Sequence, residues 1–525
     1  YEVTSSLVGS EMCIRDRFME MRLPRSVVEI IDRLESLGYE AYAVGGCVRD
    51  TLLGREPEDW DITTSAKPEA VKKAFDRTID TGIEHGTVTV MKNHVGYEVT
   101  TYRIDGEYED NRHPKQVSFT GNLVDDLERR DFTINAMAYN PKTGLVDAFD
   151  GTSDLKRRII RCVGDPDKRF DEDALRMLRA VRFSGQLQFT IEEKTRQAIV
   201  ERAEHLQNIS AERIRVEMTK LLISKDSGQL REVVDTGMTA YFLPELDRMM
   251  TFEQKNPHHI YTVGEHSIVS VEIMNDFLRQ KNAEAVESLT ETTDRVGHDS
   301  LQERLGIIDD QIDDGTWNDM EQVIREIVPA CDKKTHQVLC LTMLLHDVAK
   351  PDCATEDEQG IRHFHGHPDS GAKLAGQILR RLTFDNDTVN RVKTLIKHHD
   401  ERVQPQKRQI RRAAARIGRE FMPLVTLVQY ADILAQNPDK AGEKLQRVTA
   451  VYRLFMEMEQ FHPALTIKEL AVTGRDIMTE LGVKPGPQIG ELLQYLLEQV
   501  LDQPEQNDRE TLLSLAKAAY SDKIE

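Results

Sequence analysis

The sequence predicts an α+β protein in which strands gather near the N-terminus and helices fill the remainder. Short β-prone runs cluster early, in Glu40-Ala-Tyr-Ala-Val44, Gly86-Thr-Val-Thr-Val-Met91 and Tyr97-Glu-Val-Thr-Thr-Tyr102. Beyond them apolar residues recur at helical spacing, most clearly from Phe170 to Phe183. Strands followed by a long run of helices is the pattern of an α+β architecture. With 525 residues there is chain for about three or four domains.

Taken in order, the first eighteen residues carry no helical repeat, and Glu11, Arg15, Asp16 and Arg17 interrupt any apolar run. Residues 1–20 therefore read as a non-native leader rather than a signal peptide. Val27, Ile30, Ile31 and Leu34, with Pro24 ahead and Gly38 behind, predict an amphipathic helix. The strand Glu40 to Val44 runs into Gly45-Gly46, where the missing side chains let backbone approach a ligand closely. Pro68 to Asp76 reads as a helix, and the strands on either side of Asn93-His94-Val95-Gly96 read as a hairpin. Ser210 to Glu217 is a further helix, and Leu465 to Ala519 is helical with breaks at Gly474, Gly482 and Pro485-Gly-Pro487.

Composition narrows the class. Hydrophobic residues make up 39% and charged residues 30%, and no apolar run is long enough to span a bilayer, so no membrane partner is expected. Cys13, Cys47, Cys162, Cys331, Cys340 and Cys353 form no C-x-x-C pair, which argues against a zinc ribbon or disulfide framework and for a cytoplasmic location. A net charge of −21 counts against a nucleic-acid partner. Lys156-Arg157-Arg158 and the stretch Arg408 to Arg419 nevertheless supply local positive charge for a groove.

The chemistry begins at Gly45 to Ser65 (GGCVRDTLLGREPEDWDITTS). Backbone N–H groups at Gly45 and Gly46, with Arg49 one turn into the next helix, suit a triphosphate. Asp59 and Asp61 stand at i and i+2 of an extended segment, so their carboxylates share a face and suit Mg²⁺. Glu98 in its alternating strand is a candidate third carboxylate. A lone glycine turn or solvated acidic loop is the plainer reading of either element, and their pairing at this spacing favours function.

These elements resemble the class II tRNA nucleotidyltransferases, the CCA-adding enzymes of the poly(A) polymerase-like family, with their GG-x-VRD and D-x-D signatures. The resemblance implies a mixed-sheet head followed by a mainly α neck, HD domain and helical tail. Arg129 to Tyr139 is similar to the family's RRDFTINA motif, in which Arg130, Asp131 and Asn135 would contact nucleotide. Asp147 to Pro166 resembles its hinge segment, with Gly151 and Gly164 as pivots. Asp173 and Arg176, taken as i and i+3 of one helix, resemble the EDxxR element that reads CTP and ATP by base edge, with Arg179 and Arg182 on the same helix as further nucleotide contacts.

A second centre is marked by histidine. Eleven of the sixteen histidines lie between residues 258 and 399, a clustering that points to metal. His266, His346-Asp347, His367, His398 and Asp432 resemble the ligands of an HD phosphohydrolase domain. His367 is preferred over His365 and His398 over His399 by motif setting. Imidazole and carboxylate together favour Mn, Ni, Co, Fe or Zn.

The domains implied are a head at 21–150, a neck at 151–250, an HD domain at 251–440 with an acidic insert at about 279–336, and a tail at 441–525. The resemblance implies an enzyme that adds or repairs the 3′-terminal CCA of tRNA from CTP and ATP, with metal-dependent phosphohydrolysis of RNA 3′ ends beside it. A poly(A) polymerase, a CC-only or A-only adder, a chain acting mainly as an HD phosphohydrolase and a non-catalytic RNA-binding module are the alternatives. Oligomeric state is not legible in the sequence.

Overall fold

Pro24 opens α1 (Arg25–Ser36), which buries Val27, Ile30, Ile31 and Leu34, and Gly38 at φ +86° turns the chain back. The stripe at i, i+3, i+4 and i+7 thus becomes one buried helix face. The computed structural model describes residues 21–82, 85–105, 117–279 and 312–521. The leader read at 1–20 lies outside them, as do residues 280–311 of the acidic insert. The chain divides into two compact units, one up to Phe242 and one from Leu243.

The first unit is built on β1 (Ala41–Val44), β2 (Ile62–Thr64), β3 (Thr78–Gly82), β4 (Thr87–Lys92) and β5 (Val95–Thr101), with α2 (Gly46–Leu52) and α3 (Pro68–Ala74) between them. β6 (Arg103–Asp105) and β7 (Val117–Phe119) form a separate ribbon. After α4 (Leu123–Glu128), β8 (Ala138–Asn140) and β9 (Gly144–Val146) rejoin the main sheet. Among the described residues that sheet has seven strands in the order β3-β4-β5-β2-β1-β8-β9. β2 and β5 run parallel and the other neighbours antiparallel, so the sheet is mixed. The β4–β5 turn is tighter than the sequence suggests, because Asn93 and His94 both take positive φ, as a two-residue primed turn requires.

Helices follow: α5 (Gly151–Arg157), α6 (Pro166–Glu172), α7 (Leu175–Leu187), α8 (Glu193–Arg202) and α9 (Ala211–Leu222). The helix expected from Phe170 to Phe183 is broken at Asp173, whose φ of −144° and ψ of 102° are extended. Its carboxylate accepts from Leu175 N at 3.1 Å, satisfying an orphan donor where α7 begins. Asp173 and Arg176 are therefore not an i,i+3 pair on one helix face. Gly151 also departs from expectation as a pivot: a Cβ there would lie 2.3 Å from Thr133 O, so the glycine serves close packing.

The second unit is helical. Val263–Arg279, Lys333–Leu345, His367–Arg381, Asn386–His398 and Met422–Leu434 form its central bundle. Asp314–Ile327, within the range read as an insert, buries Trp317, Met320, Val323 and Ile324 and packs on Ala441–Glu459. That part is bundle, not appendage. Gly474–Leu481, Pro487–Asp502 and Arg509–Ser521 close the chain. The basic stretch expected to line a groove forms Lys407–Ile417, where Arg408 and Arg412 pair with Asp502 and Arg416 with Glu401. No described helix is long and apolar enough to cross a membrane.

Candidate functional site

In the first unit the site is set by sheet register. Ile62 pairs with Val99 across the parallel β2–β5 ladder, so one residue back Asp61 stands beside Glu98. Asp59 lies two residues further back, and all three acids are exposed. The surrounding protein desolvates the Asp61 carboxyl and raises it; Arg130 opposes this, while Glu98 and Asp59 add like charge. The expected carboxylate triad is thus assembled, with a cation facing it.

Gly45 adopts φ +82°, and a Cβ there would approach Arg130 Nη1 to 3.0 Å. The glycine is needed for both its backbone conformation and the close passage of that guanidinium. Arg130 Nη2 lies 3.5 Å from Asp126 Oδ2, and its buried Nε has no hydrogen-bond partner. Arg49 is placed otherwise than expected. It donates to Asp50 through Nε and Nη2 at 2.9 and 2.8 Å and to Asn135 Oδ1 through Nη1 at 2.7 Å, so it holds Asn135 in position.

Asp131 links this loop to α7. Its Oδ1 accepts from Phe132 N and Asn135 Nδ2 at 2.8 and 3.1 Å, and its Oδ2 accepts from Arg179 Nε and Nη2 at 2.9 and 2.6 Å. Burial would raise this carboxyl, but Arg179 and Asn135 overcome it and hold it well below the usual range. Arg182 donates to Glu217 Oε2 at 2.6 Å and lies 3.7 Å over the Phe183 ring, inside the unit rather than facing a ligand. Asp173 accepts from Arg213 Nη1 and Nη2 at 3.2 and 2.8 Å, and Arg176 pairs with Glu172 at 2.7 Å and donates to Arg129 O at 2.8 Å. Sequence reading missed Asp126, Arg213 and Glu217. The glutamate was visible in the ERIRVE run, but its role depends on which face α9 turns to α7.

In the second unit His266, His346, Asp347, His367 and Asp432 come together as expected, and His399 joins them in place of His398. His399 Nε2 lies 3.3 Å from His367 Nε2 and 3.7 Å from Asp347 Oδ1, whereas His398 turns away to Glu401. Successive helical residues point about 100° apart, so only one of the pair faces inward. His266 Nε2 is 3.1 Å from His346 Nε2 and 2.9 Å from Asp432 Oδ1.

The donor set fits divalent metal. Asp347 has two buried oxygens without a well-directed hydrogen bond, although Lys350 Nζ lies 2.7 Å from Oδ2. Two groups, His266-His346-Asp347 and Asp347-His367-His399, each keep their ligand atoms within 4.8 Å, so Asp347 is shared. The Nδ1 atoms of His266, His346, His367 and His399 face the carbonyls of Ala435, Met343, Phe364 and Ile396 at 3.1, 2.8, 2.7 and 2.6 Å. A carbonyl only accepts, so each ring carries its proton on Nδ1 and offers Nε2 as a ligand. Burial opposes charge on His346, yet Asp347 and Asp432 raise it to about 10. The same field favours any cation placed there.

Residues 41–161 match the family model of the poly(A) polymerase head domain. Residues 188–250 match a model for an RNA- and SrmB-binding site of polymerase A, and 356–516 one for tRNA nucleotidyltransferase domain 2. The CCA-adding enzyme of Lactobacillus delbrueckii subsp. bulgaricus is 55% identical over 211 residues, which are 40% of this chain; the match spans 53% of that enzyme, about half its length. That of Limosilactobacillus reuteri is 32% identical over 492 residues, 92% of this chain and 94% of the relative. The crystal structure of the Bacillus stearothermophilus CCA-adding enzyme with CTP superposes with a TM-score of 0.62 at 28% identity, covering 96% of this chain and 99% of the other. From the carboxylate triad, its facing arginine and a relationship that runs nearly end to end, the chain belongs to the family of CCA-adding enzymes.

Proposed function

We propose that this protein adds or repairs the 3′-terminal CCA of tRNA from CTP and ATP and releases pyrophosphate. The observation that carries the reading is the placing of Asp61 beside Glu98 with Arg130 facing them. Asp59, Asp61 and Glu98 would hold Mg²⁺, which would neutralise triphosphate charge and favour the alkoxide form of the attacking 3′-hydroxyl. Arg130 and the Gly46 amide receive the phosphates, the Gly45 amide being spent on Met137 O at 3.1 Å, and Arg49 and Asp131 fix Asn135 for the sugar. The 3′-oxygen bonds to the α-phosphorus as the bond to pyrophosphate breaks. Asp173 and Arg176 would meet the base edge with a carboxylate and a guanidinium in exchange for their present partners Arg213 and Glu172. Residues 21–150 act as head, 151–250 as neck, 251–440 as the HD-type domain and 441–525 as tail.

Supplying tRNAs that end before CCA, after C and after CC, with each nucleotide separately, tests this. Addition of C, then C, then A and no further is expected; A alone in long tracts would make the protein a poly(A) polymerase.

A second activity is supported by the imidazole–carboxylate cluster. Asp347, Asp432 and the four imidazoles would hold a divalent transition metal, which polarises a phosphoester and lowers the pKa of water. We propose that this cluster hydrolyses phosphate esters at RNA 3′ ends. His346→Ala should abolish that hydrolysis while nucleotide addition continues; hydrolysis that persists in the variant would reject the assignment.

A further inference from the structure

Lys444 and Arg447 stand one turn apart on the helix Ala441–Glu459 and line a cavity of about 630 Å³. Asp347, His367, His399 and Asp432 line the same cavity. The other cations on its wall have acidic partners: Lys350 lies 2.7 Å from Asp347, Arg362 3.3 Å from Glu356 and Arg402 3.7 Å from Asp400. Glu401, the remaining acid there, is taken by His398 and Arg416. Lys444 and Arg447 differ. Lys444 donates to Gln436 Oε1 at 2.6 Å, and Gln436 donates in turn to Asp432 Oδ2 at 3.1 Å. Arg447 has no ion pair or hydrogen bond among the described residues, and both side chains are partly buried. Burial holds the Lys444 ammonium below its usual range, and Arg402 and Arg447 push the same way against Asp432 and Asp400.

Two cations one turn apart, partly desolvated and neither in an ion pair among the described residues, are better accommodated once an anion arrives. A terminal phosphate carries two charges at neutral pH and answers both. A cyclic or open phosphodiester carries one and leaves a cation uncompensated. We propose that Lys444 and Arg447 form the phosphate-receiving wall of this cavity and make its substrate a phosphomonoester, on an RNA end or on a free nucleotide, rather than a diester.

The inference rests on the phosphohydrolase reading. In the step it implies, a water oxygen bonds to phosphorus and the ester P–O bond breaks. One water proton passes to the leaving alcohol oxygen and the other stays on the released phosphate.

The test compares the full-length protein with Lys444→Ala, Arg447→Ala and the charge-keeping Lys444→Arg. Calorimetric titration of the chelator-treated proteins with inorganic phosphate reads the wall without metal. About tenfold weaker binding is expected in each alanine variant, with recovery in Lys444→Arg. Unchanged binding would overturn the proposal. With Mn²⁺ added, KM for a 3′-phosphorylated RNA oligomer or a nucleoside 3′-monophosphate should rise about tenfold with kcat held. KM for a 2′,3′-cyclic phosphate should scarcely move. Equal losses on monoester and cyclic diester would overturn the assignment of substrate class. Separate Mn²⁺ titrations should give the same affinity in all four proteins. A wild-type protein that takes up no Mn²⁺ would reject the phosphohydrolase reading itself, and with it the substrate, whatever the phosphate titration shows. The two monoester probes separate the sources: a lower KM for the oligomer assigns the cavity to RNA ends, and a lower KM for the mononucleotide assigns it to free nucleotides.

Discussion

Asp131 carries more of the first site than any other single side chain. One of its oxygens holds a backbone amide and Asn135, and the other takes both donors of Arg179. Asp131→Asn keeps the shape but turns one acceptor into a donor facing the Arg179 guanidinium, leaving that half-buried charge only its longer 3.6 Å contact with Glu217. Nucleotide addition should fall by about a hundredfold or more with the fold retained, read as kcat/KM beside the circular dichroism spectrum. The histidine pair in the second unit gives a sharper contrast. His399→Ala should weaken Mn²⁺ binding by at least about tenfold, whereas His398→Ala should leave it within about twofold, both read by metal titration. The sequence shows two adjacent histidines, and the motif setting points to His398; which of them faces inward follows instead from where the helix Asn386–His398 ends. That end was not legible without the helix beside it. Asp59 and Asp61, by contrast, are legible from local spacing just ahead of the strand Ile62–Thr64, and Arg130 from the resemblance of its segment to a family motif.

Elements show the same division between local and distant causes. The β4–β5 hairpin, α1 and the helical second unit follow from periodicity and turn residues. The break between α6 and α7 does not, because Phe170 to Phe183 has continuous helical composition and the interruption is stabilised by Asp173 capping α7 and pairing with Arg213 on α9. Asp173→Ala should therefore remove a cap as well as the proposed base contact, lowering stability by about 1 kcal/mol in thermal unfolding. Asp173→Asn keeps an acceptor for Leu175 N and should spare most of that stability while disturbing CTP and ATP choice. Equal stability losses in the two variants would show that the carboxylate's charge, not its capping, holds the break. Gly151→Ala addresses another junction. With Thr133 O 2.3 Å from the added carbon, the start of α5 must move away from the loop that carries Asn135. A loss of about 2 kcal/mol or more in chemical denaturation is expected.

At the scale of the molecule, the two candidate centres fall in different compact units. Each is complete in residues from its own unit, so variants of one should be silent in the other. Asp59→Ala with Asp61→Ala should stop nucleotide addition and leave Mn²⁺ uptake by the histidine cluster within about twofold, measured on the same preparation. The net charge of −21 is a property of the whole chain that says little about either site, since Arg179 of α7 and Arg408, Arg412 and Arg416 of Lys407–Ile417 already pair with acids of their own unit.

The histidine cluster differs in how far each ring's orientation reaches along the chain. His346, His367 and His399 each donate to the carbonyl three residues earlier, so a single turn of backbone aims each of them. His266 alone donates to a distant carbonyl, that of Ala435, 169 residues away. Local turns thus aim three of the four imidazoles, whatever their neighbours do. The aim of the fourth depends on Val263–Arg279 meeting the end of Met422–Leu434, so a metal held by all four would report that contact through His266.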